Sequence, residues 1–338
     1  MTPIPGDFVI PPWDRSKLEE KLQNTEGLER ELLKASEWSF RIAQFLKQAP
    51  ISGPSVGWYA LWAKHFLLLS AVRSALREES SLLLDLLNRP LFELELHIGT
   101  IGNPRWRGGD PESRDFADIP VDEPPEEIRD RLKAYCAWCL EEDVLLLENR
   151  LEPGMLDMLF DYRWQRELVR AMGPYREHHE RELGEIEIVS DAEAKLDRER
   201  YEKALDARRA MTERLIKDLD LSEWVDRIRK QRKKRTYLPF TDLFESSQGS
   251  SKSAGGVKGK LRSMGMPWAS LTYSKDSMLL HQSSLLQVIQ LSENGVSIRV
   301  PRGNDFESQA SHATRSIKRG LMLMEGVWKR GFPRRSYS

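Results

Sequence analysis

The chain has 338 residues, 40% of them hydrophobic and 31% charged, a balance that excludes a fibrous, collagen-like or wholly disordered polymer and suits one large core or two modest ones. Its net charge of −1 is a sum of opposites: Arg227–Ser338 holds 21 Lys and Arg against 7 Asp and Glu, a net +14, so Met1–Asp226 carries −15. Either the two parts attract each other or the basic third meets a polyanion.

Apolar residues recur at helical spacing through most of the chain, which predicts a mainly α fold, a multi-helix bundle with at most one short two-stranded β element. Leu18, Leu22, Leu28, Leu32 and Leu33, then Trp38, Ile42 and Phe45, stripe a helical region from about Asp14 to Gln48. It is expected to break near Asn24–Gly27 and to end at Pro50, Gly53 and Pro54. From Trp58 to Leu87 the pattern is so apolar that this helix should be central and buried on more than one side. Its richest stretch, His65–Val72, meets Arg73 too soon for a membrane span. Asn88-Arg89-Pro90 is expected to end the helix, because proline disfavours α geometry in the residue before it and fits the first position of a new helix. A shorter helix then spans about Pro90–Ile101.

Gly102–Glu126, with five prolines and many acids, reads as a surface loop. Helices resume at about Glu126–Asn149, Gly154–Arg181 and Asp191–Leu219, the last opened by Ser190 and Glu193 at capping-box spacing. Gly184–Val189 and the alternation Val296, Ile298, Val300 read as two short strands able to pair with each other. Glu245–Gly259, rich in Gly, Ser and Lys, reads as a mobile linker. Helices near Ser274–Leu291 and Asp305–Glu325 follow, the last opened by Asn304 and Glu307. The expected organisation is an N-terminal helical region (1–57), core helices (58–101), an acidic Pro-rich loop (102–126), an acidic helical region (127–226), a basic segment with its linker (227–264), and C-terminal helices that complete the core (265–338).

Tyr273-x3-Ser277-x3-His281 puts a phenol, a hydroxyl and an imidazole on one side of a helix. If that side is buried, each group costs about 1–3 kcal/mol unless paired, so the three need one another or an outside partner. One reading is a network that orients helices. The other is acid/base chemistry, for which His281, with an ordinary pKa near neutrality, is the best single candidate.

Arg227, Arg229, Lys230, Arg232, Lys233, Lys234 and Arg235 place seven cations in nine residues, with Tyr237 and Phe240 following and Lys252, Lys258, Lys260 and Arg262 extending the charge. Cations release counterions from phosphates and interleaved aromatics stack on unpaired bases, so RNA or DNA is the expected partner. The competing reading is a solvated helix end lying on the protein's own acidic region.

Two segments, LLNRPLFELELHI and KLRSMGMPWASLTYSKDSMLLHQSS, together resemble an uncharacterised family of all-helical, mostly bacterial proteins in which an Arg-x3-Glu helix is followed much later by a Tyr-x3-Ser-x3-His helix. The likeness covers Trp58–Ile101 and Gly265–Gln290. It implies that Arg89 and Glu93 join Tyr273, Ser277 and His281 in one interior polar cluster. Pro90 places Arg89 at a helix junction, so the cluster is expected to form across two helices rather than through an ordinary i,i+4 ion pair. An arginine fork beside an imidazole and a hydroxyl suits a phosphodiester. In that reading Arg89 holds the phosphate, Glu93 fixes Arg89, His281 transfers the proton, and Tyr273 and Ser277 orient it or bind the leaving oxygen. The resemblance carries no established activity of its own; taken together with the charge layout it leads to the expectation of a metal-independent, cofactor-free nuclease of a toxin or antiphage defence type. The alternative is a non-catalytic interaction or sensor subunit with a protein partner or a second copy of itself. Helical ribonuclease domains of toxin and antiphage systems carry an Arg four to six residues before a His; none of His65, His97, His178, His179, His281 or His312 has one, so membership is not supported.

Three weaker signals carry no site. Cys136-x2-Cys139 reads as mid-helix, without the strand a redox motif needs or the second pair zinc needs, and two cysteines with no secretory signal make a reducing cytoplasm the expected compartment. Gly255-x3-Gly259-Lys260 has the wrong spacing for a phosphate loop. His178, His179 and Glu182 lie in a run that reads as a charged, solvated face.

Overall fold

The structure is a computed structural model that describes residues 8, 10, 15–102, 124–151, 156–157, 160, 190–233, 238–244, 289–292, 295–298 and 303–332. The fold is mainly α. In chain order the helices are α1 (Arg15–Gln23), α2 (Gly27–Ala43), α3 (Gly53–Arg77), α4 (Ser81–Gly102), α5 (Pro125–Leu151), α6 (Asp191–Asp218), α7 (Ser222–Arg232) and α8 (Gly303–Gly331), with 3-10 turns at Gln44–Gln48 and Phe240–Phe244. None of the described helices is long and apolar enough to cross a membrane.

The first helical break falls where expected, at Gly27, whose φ of +60° is open to glycine without strain. The second does not. The apolar run divides at Glu78–Ser80 instead of Asn88–Pro90, and α4 continues through Pro90. Two backbone bonds close α3 in a Schellman motif: Ser80 N–H donates to Ala75 O at 3.0 Å and Glu79 N–H to Leu76 O at 3.2 Å. Glu79 takes the left-handed position at φ +47°, which glycine usually fills. Ser80 then opens α4, its hydroxyl accepting from Leu83 N–H. Packing on nearly every side holds α4 together despite the donor that Pro90 lacks, with Leu84, Leu91, Phe92, Leu94, Leu96, Ile98 and Ile101 all buried.

The β element is a hairpin of β1 (Ile289–Ser292) and β2 (Gly295–Ile298), antiparallel, with Ile289 opposite Ile298 and Ser292 opposite Gly295. Residues 289–291, expected to end a helix, are strand, and they pair with the segment carrying Val296 and Ile298. Gly184–Val189, the expected partner, lies outside the described residues.

The described residues belong to two compact units, Met1–Ala137 with Asp226–Ser338, and Trp138–Val225. In the first, α2, α3, α4 and α8 form a bundle whose directions follow from its cross-links. Glu31 bonds Lys318 and Trp38 Nε1 donates to Glu325 at 2.7 Å, so α2 and α8 run parallel. Phe92 meets His312 and Glu95 meets Arg319, so α4 is parallel to α8 as well. His65 bonds the Ile317 carbonyl while Trp58 Nε1 donates to Met324 O at 3.2 Å, so α3 runs against α8. One end of the bundle is aromatic: the ring of Trp328 lies 4.9 Å from Trp58, 5.8 Å from Phe45 and 4.2 Å from Phe332. At Gly57, α3 approaches the backbone of α5 so closely that a Cβ would sit 2.1 Å from Leu132 O. Arg131 of α5 donates from Nε to Ile101 O at 2.8 Å, satisfying one of the last carbonyls of α4.

In the second unit, α6 opens on the expected capping box, with Ser190 and Glu193 exchanging bonds, and ends in another Schellman motif at Asp220, φ +55°. Leu205 and Ile216 of α6 are buried, as are Val144 and Leu147 of α5. Arg209 bridges to Glu148 at 3.3 Å, and Arg208 to Asp143 at 4.0 Å.

Candidate functional site

Four consecutive residues of α8 each engage a polar group, and together they lay a hydrophilic layer across the middle of the bundle. Ser316 Oγ accepts from Arg319 Nη2 at 3.1 Å. The carbonyl of Ile317 takes a 2.9 Å bond from His65 Nε2, and because a carbonyl only accepts, that nitrogen carries the proton. Lys318 pairs with Glu31. Arg319 Nη2 lies 3.0 Å from both carboxylate oxygens of Glu95, a pair with side-chain exposures of only 15% and 5%.

Enclosure sets the electrostatics. Burial pushes the His65 imidazole down to about 4 against the pull of the Ile317 carbonyl, so the ring is neutral, and its Nδ1 has no partner among the described residues. Burial raises the Glu95 carboxyl, while Arg319 and Ser316 pull it back toward the charged form. One turn nearer the start of α8, His312 stands edge-on to Phe92 at 5.4 Å and is likewise held at about 4, by burial first and then by the positive charges of Arg319 and Arg315.

Arg89 and Glu93 sit beside this layer on α4. Since α4 passes through Pro90 unbroken, Arg89 lies inside the helix rather than at a junction, and its Nε forms an ordinary i,i+4 bridge to Glu93 at 3.1 Å. Both are part-exposed, at 27% and 33%. About 100° of helical rotation separates Arg89 from Asn88, which occupies the α8-facing line with Phe92 and Glu95. Tyr273, Ser277 and His281 lie outside the described residues.

The basic segment begins on α7, whose two faces differ sharply. Leu221, Trp224, Val225 and Ile228 are buried, whereas Arg227, Arg229, Lys230 and Lys233 are exposed and Arg232 is half-buried. Arg229, Lys230 and Lys233 recur at i, i+1 and i+4 along the solvent side. Lys230 and Lys233 make no ion pair among the described residues. Arg227 reaches back to Leu243 O at 3.1 Å and so also secures the Phe240–Phe244 turn. Lys234, Arg235, Tyr237, Lys252, Lys258, Lys260 and Arg262 lie outside the described residues. Phe240, expected to offer a stacking surface, is fully buried, its ring edge-on to Tyr135 at 5.0 Å and to His97 at 5.5 Å. It is a core residue, because the 3-10 turn directs it inward.

The sequence reading missed the polar layer itself. Its one visible sign is Glu95, a lone acid at the buried phase of an otherwise apolar helix, with Ser316 and Arg319 one turn apart on a more amphipathic one. Among the described residues no group of three or more His, Cys, Asp and Glu side chains is placed to hold a metal ion. Comparison with protein-family models, with curated proteins and with solved structures gives no match.

Proposed function

We propose that the chain binds the phosphate backbone of nucleic acid, without reading its sequence, through the solvent face of α7 and the cations that follow it at Lys234, Arg235, Lys258, Lys260 and Arg262. The observation that carries this reading is the division of α7: one face anchored by Trp224, Val225 and Ile228, the other presenting Arg229, Lys230 and Lys233 to solvent. Cations on a rigid helix contact successive phosphates with little ordering cost, and the affinity they supply is largely that of released counterions.

The test is a titration of generic single-stranded RNA and of duplex DNA at several salt concentrations. Affinity should fall steeply with salt, and the combined variant Arg229→Ala, Lys230→Ala, Lys233→Ala should flatten the log–log slope by about 2 to 3. A slope that the triple variant leaves unchanged removes α7 from the interface.

The resemblance adds a catalytic proposal: Arg89, steadied by Glu93, holds a scissile phosphate for His281, with Tyr273 and Ser277 assisting, in a ribonuclease of defence type. Equal RNA cleavage by wild type and His281→Ala would take His281 out of the chemistry. The second reading, a non-catalytic interaction or sensor subunit, draws on the layer formed by His65, Glu95 and Arg319. Those groups are enclosed among helices and specify how the helices pack, as buried polar networks do.

A further inference from the structure

We infer that the seam between α4 and α8 is an anion site that takes a phosphoryl group, held by Arg315 and Arg319 beside the ring of His312. The inference is independent of α7 and concerns a different surface.

His312, Arg315 and Arg319 stand at i, i+3 and i+7 on α8, so one face of that helix carries all three. Arg319 reaches the seam already ordered, because Glu95 and Ser316 fix its Nη2 from two directions. A guanidinium whose torsions are set in the fold loses little further entropy when it meets a ligand. Arg315 is exposed, and among the described residues its guanidinium hydrogen-bonds within its own helix, through long bonds to Ser311 O at 3.5 Å and Ser311 Oγ at 3.4 Å. Among the described residues it has no acidic partner, in contrast to Arg319 with Glu95, Lys318 with Glu31 and Arg89 with Glu93. The positive field of this face is strong enough to help hold His312 neutral. A bound anion would offset that field, giving Arg315 its missing counter-charge and letting His312 take up a proton and become a donor.

The donor set selects the class of anion. Arg319 Nη2 is already bonded to Glu95 and Ser316 and so contributes mainly charge, while the Arg315 guanidinium, the imidazole and the Ser311 hydroxyl offer donors spread along one helix face, which suits a group with three or four oxygens. The phosphoryl group has two sources, a small phosphate ester and a polynucleotide chain.

The full-length protein should be titrated with inorganic phosphate, following the His312 ring by NMR, with a nucleoside monophosphate and a short single-stranded oligonucleotide as competitors. Phosphate should perturb the His312 signals and raise its apparent pKa above about 4. Arg315→Ala should weaken phosphate binding by about tenfold, and Arg315→Lys should recover most of the loss. Position 315 is an exposed helix site, so alanine leaves the fold intact. Because the readout is the His312 ring itself, phosphate that settles on the α7 cations leaves it unperturbed, which separates this seam from the α7 surface. Displacement by the oligonucleotide supports the site with a polynucleotide as its source, and displacement by the monophosphate alone supports it with a small ester. No response of the His312 ring, or equal affinity in wild type and Arg315→Ala, overturns the assignment.

Discussion

His65 is held by a neighbour's lack of a side chain. A Cβ on Gly320 would lie 2.8 Å from His65 Cδ2 and 2.9 Å from Nε2, so Gly320→Ala must displace the ring from the Ile317 carbonyl or push α3 from α8. The expected cost is about 1–3 kcal/mol, read as a lower denaturation midpoint. The enclosure that makes this contact tight also makes it pH-sensitive. The unfolded chain protonates a histidine near 6.5, whereas folded His65 does so only at about 4. Its contribution is therefore complete above about 6.5 and is lost as pH falls toward 4, about 3 kcal/mol in all. His312 works in the same direction with a smaller effect, being partly open to solvent. Glu95, whose carboxyl is raised, opposes both as the pH falls. His65→Gln keeps a donor for the Ile317 carbonyl without a titrating ring, so the difference in stability between wild type and this variant should shrink by about 3 kcal/mol from pH 7 to pH 4. A pH-independent difference would mean that the ring is protonated as easily folded as unfolded.

At the scale of elements, α4 and α8 are joined by an ion pair in an apolar setting. Removing one member of such a pair leaves the other uncompensated, so Glu95→Ala is expected to cost about 3–5 kcal/mol. Glu95→Leu combined with Arg319→Met should come within about 1 kcal/mol of wild type or exceed it, and a double-mutant cycle in urea measures the coupling. Additive single-variant losses would show that the two side chains do not depend on each other. Much of the element pattern was legible: the break before Gly27, the box at Ser190 and Glu193, and the end of α6 each rest on local rules that involve neighbours in sequence. The division of α3 from α4 was not, because the strongest written signal, Pro90, sits where surrounding apolar contacts override it, while the actual stop uses Glu79 in a conformation that glycine usually announces. The ion pair was hidden for a different reason. Glu95 and Arg319 are 224 positions apart, and periodicity within one helix says which face is buried without saying what meets it.

For the whole molecule, the charge split visible in the sequence has a partial physical account. Within the first unit, Lys318 and Arg319 of the basic third pair with Glu31 and Glu95 of the acidic part, so some of that opposition is internal attraction. Lys230, Lys233 and Arg315 remain on the surface, where they leave cationic potential for a partner. The bundle is thus completed by a helix that enters from the far end of the chain. Closing so long a loop adds only about 0.6 kcal/mol for each doubling of its length, against the burial of Ile317, Leu321, Met324, Val327 and Trp328, each worth roughly 1.5–3 kcal/mol if a side chain is fully removed from water. A chain ending at Arg302 would strip Trp58, His65 and Glu95 of their α8 partners at once and open the apolar faces of α2, α3 and α4. Such a chain should keep much of its far-ultraviolet helical signal, lose the near-ultraviolet signal of its packed tryptophans, bind a hydrophobic dye, and melt without a cooperative transition. Cooperative melting at the wild-type midpoint would mean that α2, α3 and α4 form a self-sufficient core and that α8 is only laid upon it.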